Sequence, residues 1–452
     1  MSQGKQVSFS LILLDTLVVT LVFNLVGYAR GVINLHDPLL APLQVPILVH
    51  ILGVYLIDGY NPRTDMMSIT YTSLHVIALA GVLLITLVLT YAFIPVGFPL
   101  QTSRFVTAVS CLTIIPITLS YRRFFYRRHQ TRRQQRFFLF LGNPESCLSF
   151  KEECRKNRMT QAVLYTTHET FVHPIAGSIP PFGNVVNYLD EYAGRIDAVI
   201  IRESSADLPP HVAQRLMELQ FKGVPTYTLE LFHQVYWRKI PLYRLNQSWL
   251  FQEGFQIARE PVFERLKRIT DVFLSVLGLM LFSPLLPIVS VSIWLTDRGP
   301  VFFHQMRVGR NRTLFQAYKF RTMWVQAEGD AYTRKDDARI TPIGKFLRSS
   351  RLDEVPQLWN VLRGDMSLIG PRAEWVKLVE QYEHQIPCYH FRHLVKPGIT
   401  GWAQVNYPYG ANLEDTLRKL EYDLYYIRYY SLVLDASIVL KTIQVMLFRK
   451  GR

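Results

Sequence analysis

The sequence predicts a multidomain membrane protein. It would have an N-terminal four-helix transmembrane bundle, a central Rossmann-like α/β domain, and a mostly α C-terminal domain carrying a re-entrant membrane helix. Three observations predict this: four apolar runs in the first 120 residues, alternating strand and helix patterns from about 137 to 245, and a later apolar run broken by prolines and basic on both flanks. The expected domains are 1–136, 137–250 and 258–452, with the re-entrant helix at about 265–295. Composition agrees, since 50 Lys+Arg against 35 Asp+Glu give a net charge of +15 while 49% of residues are hydrophobic. Basic and apolar together favour a membrane protein with a cytoplasmic face over a soluble nucleic-acid binder. Cys111, Cys147, Cys154 and Cys388 are scattered with no CxxC pair, so there is no disulfide framework and no zinc signature.

The apolar runs cover about 9–29, 43–57, 74–94 and 105–120. Three approach or exceed the ~20 residues of a spanning helix, and the second is short unless it continues into Asp58-Gly59-Tyr60. The first lacks a small-residue cleavage site and is expected to be retained. Asp15, His50 and His75 lie in or at the ends of these runs, where such groups are expected to reach the interface rather than to act. Arg122, Arg123, Arg127, Arg128, Arg132, Arg133 and Arg136 follow the fourth run, whereas the loops near 31–42 and 95–103 carry no lysine or arginine. The arginines therefore mark the cytoplasmic side, with both chain ends there and four spans between. They read as a topology signal and anionic-lipid contact, not as a nucleic-acid site.

In the middle, Phe137-Phe-Leu-Phe-Leu-Gly142 reads as a buried strand, followed by a helix over 145–157 and a strand over 162–166. A strand at 196–201, a helix at 210–221 and a strand at 224–228 complete a small parallel α/β sheet. Gly142-Asn143-Pro144 lacks the glycines of a dinucleotide fingerprint, so a regulatory or dimerising role is expected there.

The next apolar run, 272–295, is long enough to span, but Ser283-Pro284 and Pro287 interrupt it. Arg265, Lys267 and Arg268 precede it, and Arg298, Arg307 and Arg310 follow it. A true span would place one cluster outside, against the charge rule; a kinked hairpin entering and leaving on one side obeys it. Beyond lie Gly299-Pro-Val-Phe-Phe-His-Gln-Met-Arg307-Val-Gly-Arg310 and Phe315-Gln-Ala-Tyr-Lys319-Phe-Arg321-Thr-Met323. These read as short strands or turns, and cations two apart share one face, a plausible phosphate grip or a solvated basic surface.

The central stretch is Ser349-Ser-Arg-Leu-Asp353-Glu354-Val-Pro-Gln-Leu-Trp-Asn-Val-Leu-Arg-Gly-Asp-Met-Ser-Leu-Ile-Gly-Pro-Arg372. Leu352, Val355, Leu358, Trp359 and Leu362 fall at helical spacing and predict a packed apolar face. Pro356 suits a first helical turn, which puts Asp353 and Glu354 at a helix N-terminus, where ionised carboxylates and phosphates are favoured. Gly364 and Gly370-Pro371 would return Arg372 toward the same end. The tail adds Lys396-Pro-Gly-Ile-Thr-Gly-Trp-Ala-Gln-Val-Asn406 and an apolar helix over 432–447, interrupted by Asp435 and Lys441. Tyrosines interleaved with charge at 422–430 suit an interfacial helix.

With these motifs in order, the last ~190 residues resemble the bacterial sugar transferase family, the monotopic phosphoglycosyl transferases. The carriers are the Ser283-Pro284 break, Lys319-Phe-Arg321-Thr-Met, Leu352-Asp-Glu-Val-Pro-Gln-Leu, Gly364-Asp-Met-Ser-Leu-Ile-Gly-Pro-Arg372 and the Lys396–Asn406 loop. The four-span start and α/β domain are similar to the large members that begin exopolysaccharide or O-antigen repeat units. The resemblance implies transfer of a sugar 1-phosphate from a UDP-sugar to polyprenyl phosphate, usually undecaprenyl phosphate, at the cytoplasmic side of the bacterial inner membrane, with UMP released. It implies Asp353 as nucleophile, Glu354 as Mg2+ ligand or proton handler, and Arg348 and Arg372 as phosphate-binding arginines, with Lys319 and Arg321 as helpers. It further implies a re-entrant break at Ser283-Pro284; a homo-oligomer, a dimer, is expected as well, in keeping with the dimerising role read for the central domain. Ala373 stands where the family commonly has proline, Arg351 where it has a small polar residue, and Tyr407-Pro-Tyr-Gly-Ala where it often has glycine and arginine. The competing readings are a non-catalytic nucleotide-sensing scaffold and a glycosyltransferase that moves the sugar without phosphate. The released nucleotide separates them: UMP, UDP or none.

Overall fold

The computed structural model describes residues 3–34, 38–61, 64–93, 103–130, 137–142, 144–157, 159, 162–166, 189–190, 194–202, 209–242, 261–325, 337–407 and 412–447. Arg132, Arg133, Arg136, most of the 95–103 loop, Asn143, residues 408–411 and the 243–260 domain junction lie outside the described residues. Two compact units emerge: Met1–Gln134 with Val433–Leu440, and Gln135–Leu432 with Lys441–Arg452.

The first unit holds helices α1 (Gln3–Ala29), α2 (Gln44–Leu56), α3 (Ile69–Val88) and α4 (Arg104–Gln130). Three stretches are long and apolar enough to cross a membrane, Ser8–Ala29, Ile69–Tyr91 and Arg104–Arg128. The fourth expected span is only the 13-residue α2. At about 1.5 Å per residue, a helix of that length falls short of a ~30 Å hydrocarbon core. Inward, Leu11, Val19 and Phe23 pack with Val54, Leu79 and Ile114. Outward, Phe9, Leu13, Leu17, Leu21 and Leu25 stand exposed along α1. A helix apolar on both faces is at home in lipid, which makes this a membrane protein.

Asp15 corrects an expectation. It does not reach an interface: its carboxylate is fully buried and accepts Arg122 Nη1 at 2.8 Å and Nη2 at 2.5 Å. Tyr60 Oη donates to it at 2.5 Å, Tyr121 Oη also donates, and His50 Nε2 lies 3.5 Å away. His75 is likewise buried, with Nε2 2.9 Å from Thr118 Oγ1. Arg122 is thus an internal partner of α1 as well as part of the basic exit, because a charge out of water persists only when paired.

The second unit opens with β1 (Phe137–Leu141), α5 (Pro144–Lys156), β2 (Ala162–Thr166), β3 (Ile196–Ile201), α6 (Pro210–Phe221) and β4 (Thr226–Thr228). The strands pair in parallel in the order β2-β1-β3-β4, as the alternation predicted. One face packs on α6 through Val212, Leu216 and Leu219. The other packs Phe138 and Phe140 against Phe150 and Phe232.

Next come α7 (Pro261–Phe282) and α8 (Leu285–Asp297), which bend by 64° at the Ser283-Pro284 break. Proline removes one backbone donor there, and Ser283 Oγ donates to the Met280 carbonyl at 2.7 Å. Only Phe263, Lys267, Asp271 and Ser275 of α7 are buried, one per turn, while Ile269, Phe273, Met280 and Leu281 are exposed. The rest comprises an antiparallel pair, β5 (Phe302–Val308) and β6 (Leu314–Phe320), then α9 (Pro342–Ser350), α10 (Gln357–Arg363), β7 (Ser367–Ile369), α11 (Val376–Gln385), β8 (Gly398–Thr400), α12 (Trp402–Asn406), α13 (Leu413–Arg428) and α14 (Leu432–Leu447). A strap after β4 joins the α/β part to this region: Lys239 pairs with buried Glu421 at 3.3 Å, and Trp402 Nε1 donates to the Arg238 carbonyl at 2.9 Å.

Candidate active site

Thr341 caps α9 by accepting from Gly344 N–H at 3.0 Å, and the helix ends where Arg351 takes a left-handed φ of 57°. A non-glycine residue in that region is uncommon and reverses the chain sharply. Leu352–Glu354 then form a 3-10 turn, and α10 begins only after Pro356. The carboxylates therefore sit in a turn ahead of the helix rather than in its first turn. The expected apolar face is also displaced, since α10 buries Gln357, Asn360 and Val361 while Trp359 is exposed.

Glu354 is 9% exposed, and its Oε1 lies 2.8 Å from Lys319 Nζ and 3.4 Å from Arg372 Nη1. Its Oε2 lies 3.8 Å from Arg351 Nη1. Burial opposes its charge, but Lys319 and Arg372 overcome this and bring its carboxyl down to about 2. Asp353 differs: burial pushes its carboxyl up, Lys319 draws it back, Glu354 adds to the rise, and Arg348 and Arg372 lower it. Burial also lowers the Lys319 ammonium against the pull of Glu354. One carboxylate is pinned in its ionised form and its neighbour is held more basic. Lys319, Arg348, Arg351 and Arg372 outnumber the two carboxylates by two charges, which favours an anion with several negative charges.

Of the expected residues, Asp353, Glu354, Lys319, Arg348 and Arg372 converge, Arg348 with its Nε donating to Thr322 Oγ1 at 2.8 Å. Arg321 does not join them: it is held by Asp297 at the end of α8 and by the Ile293 carbonyl at 3.4 Å. Arg307 donates to the Ala373 carbonyl, and Arg310 lies 3.5 Å from Glu264. Ser283 and Pro284 lie at the α7–α8 bend.

Two motifs distant in sequence prove to be one surface. β7 and β8 run in parallel, and a Cβ on Gly370 would stand 2.3 Å from the Lys396 carbonyl, one on Gly398 2.1 Å from Gly370 N. Only glycine permits that approach, which brings the Arg372 turn onto the Lys396–Thr400 loop.

Asn360 went unread in the sequence. Fully buried, it donates from Nδ2 to the Gln316 carbonyl at 2.7 Å and accepts Tyr318 N–H on Oδ1 at 3.1 Å. Its carboxamide thus serves the open edge of β6 as a third strand would, fixing α10 one residue away from Lys319. The available signal was a polar residue inside an otherwise apolar helical pattern.

The profile described as Bacterial sugar transferase matches residues 262–449. The UDP-N-acetylgalactosamine-undecaprenyl-phosphate N-acetylgalactosaminephosphotransferase of Aeromonas hydrophila is 39% identical over 257 residues, 56% of this chain and 60% of that protein. The exopolysaccharide production protein PSS of Rhizobium leguminosarum bv. phaseoli is 40% identical over 186 residues, 39% of this chain and 93% of that protein. The chain belongs to the bacterial sugar transferase family. Another member, the UDP-glucose:undecaprenyl-phosphate glucose-1-phosphate transferase of Klebsiella pneumoniae, is 45% identical over 181 residues, 39% of each chain. The match thus spans well under two thirds of the Klebsiella relative and 60% of the Aeromonas one. The family region holds the whole site and the bent helix pair.

Proposed function

We propose that this chain transfers a sugar 1-phosphate from a UDP-sugar to a polyprenyl phosphate, undecaprenyl phosphate in its relatives' names, and so starts exopolysaccharide or O-antigen repeat units. The observation that carries the reading is the unequal pair: Glu354 fixed by Lys319 and Arg372, with the more basic Asp353 beside it. In the proposed reaction an Asp353 carboxylate oxygen attacks the phosphorus that bears the sugar. A bond forms between that oxygen and phosphorus, the bond from phosphorus to the bridging oxygen of UMP breaks, and UMP leaves with the electron pair. An oxygen of the lipid phosphate then attacks the same phosphorus and expels Asp353, giving a polyprenyl diphosphate sugar. Arg348 and Arg372 face the charge on the transferring oxygens, and Lys319 holds Glu354 in place.

Asp353 and Glu354, adjacent in the turn ahead of α10, would give Mg2+ the one or two carboxylates it takes, with phosphate and water completing its shell. Glu354, with Asp353 beside it, would hold the ion. When bound it would neutralise the diphosphate and make UMP a better leaving group. The α7–α8 bend, with its exposed apolar faces, suits a re-entrant hairpin placing the site at the cytoplasmic surface of the inner membrane, within reach of both a soluble nucleotide and a lipid headgroup. A dimer accords with this reading but plays no part in the chemistry.

The test is nucleotide release by the purified protein with polyprenyl phosphate and a panel of UDP-sugars, beside Asp353→Asn. UMP from one donor, lost in the variant, is expected; UDP would move the chain to glycosyl transfer, and wild-type UMP release by the variant would remove Asp353 as nucleophile.

A further inference from the structure

Four successive carbonyls around Arg372 are gripped from outside. Gly398 N–H donates to Pro371 O at 2.8 Å, Arg392 Nη2 to Arg372 O at 2.9 Å, Arg307 Nη1 to Ala373 O, and Val308 N–H to Glu374 O at 3.2 Å. Two of these grips come from backbone. The other two come from arginine side chains on distant segments, the half-buried Arg307 on β5 and the buried Arg392 on the 3-10 turn Tyr389–Leu394.

Arg392 is the more elaborate. It is 6% exposed, its Nη2 also donates to Asp423 Oδ2 on α13 at 2.9 Å, and its Nη1 donates to Tyr389 Oη at 2.6 Å. Glu374 Oε1 lies 4.0 Å away. Asp423 is 2% exposed, so both charges are out of water. Such a pair is costly to bury, and replacing it with apolar residues often leaves stability unchanged or improved, so stability alone does not account for it. The planar guanidinium fixes the directions of its donors, so Nη2, held by Asp423, also meets the carbonyl of Arg372, whose side chain is 3.4 Å from Glu354.

We propose that Asp423 and Arg392 form a positioning pair that fixes the backbone of Arg372, and through it the guanidinium that faces Glu354 and the transferring phosphoryl group. The inference rests on the phosphosugar-transfer reading and deepens it. Asp423 sets the guanidinium plane of Arg392, Arg392 sets the Arg372 carbonyl, and Arg372 meets the reacting group. A misplacement of ~1 Å at such a group can cost ~100-fold in rate.

The experiment is a double-mutant cycle on the full chain in lipid nanodiscs, followed with radiolabelled UDP-sugar. Arg392→Gln and Asp423→Asn are each made with Arg372 intact and with Arg372→Ala, and kcat is expressed per folded molecule. With Arg372 intact, each variant is expected to lose about 10- to 100-fold in kcat with little change in KM for the donor. With Arg372→Ala, the same substitutions should cost less than about twofold, because their route to the reaction is gone. Equal losses in both backgrounds would overturn the inference, since a purely structural defect does not depend on the Arg372 side chain. Asp423→Asn keeps size and an acceptor oxygen, so it decides the matter even where Arg392→Gln fails to fold. If Arg372→Ala itself leaves turnover unchanged, or the wild type releases no UMP, the functional reading fails instead.

Discussion

Replacing Asn360 with alanine removes the carboxamide that substitutes for a third strand along β6. Two backbone groups lose their partner, the Gln316 carbonyl at 2.7 Å and the Tyr318 N–H at 3.1 Å. Each orphaned group in a shielded position costs ~1–3 kcal/mol. Gln316 is exposed and Tyr318 half-buried, which argues for the lower part of that range and a sum of about 2–4 kcal/mol. At about 2 °C per kcal/mol for a unit of this size, the thermal midpoint should fall by roughly 4–8 °C. Asn360→Asp should be worse near pH 7, since it keeps the Tyr318 bond but sets a second carboxylate against Asp365, now 3.2 Å from Nδ2. Because α10 carries the turn of Asp353 and Glu354 while β6 carries Lys319, turnover should fall in both variants, and more than the folded fraction does. Thermal unfolding of the detergent-solubilised protein, beside UMP release per folded molecule, makes the check. A midpoint within 1 °C of wild type together with unchanged turnover would refute the argument.

Four other outcomes are expected. The folded-state carboxyl of Asp353 is raised from 3.8, so its ionised form is disfavoured by folding; that cost is absent below pH 3.8 and grows as pH rises. Asp353→Asn should therefore melt above wild type at pH 7 and converge with it on acidification, and a lower midpoint at pH 7 would contradict the burial argument. Glu354 has the opposite sign, its contribution being fully present above 4.5 and lost only as pH falls through about 2, so activity should fail on acidification through Asp353 while the Glu354 pairs persist. Pro284→Ala restores a donor at the 64° bend, and spin labels at Ile269 and Leu295 should move apart; an unchanged distance would show that the proline does not set the bend. Chelation of Mg2+ should abolish turnover and added Mg2+ restore it, and an undiminished rate in excess chelator would remove the metal.

The parallel α/β sheet was legible almost to the residue because short apolar strands alternate there with amphipathic helices, as Ile196–Ile201 and Pro210–Phe221 show. The kink was legible because proline acts locally. What escaped was tertiary. The burial of Asp15 depends on Arg122, 107 residues later. Arg321 shares a motif with Lys319, yet it turns to Asp297. Trp359 fits a helical stripe that α10 is too short to use, and its exposed ring shows that the buried side was set by Asn360 meeting β6. Arg392 lies outside the motifs and Asp423 in a stretch that reads as interfacial, and nothing local marks either as a partner of Arg372.

The most direct measurement is the mass of the intact protein after incubation with UDP-sugar and Mg2+ in the absence of lipid acceptor. A gain of one sugar phosphate is expected, located on the peptide containing Asp353, discharged by polyprenyl phosphate and absent from Asp353→Asn. Turnover that releases UMP with no adduct at Asp353 under rapid quenching, or an adduct that survives in Asp353→Asn, would contradict it.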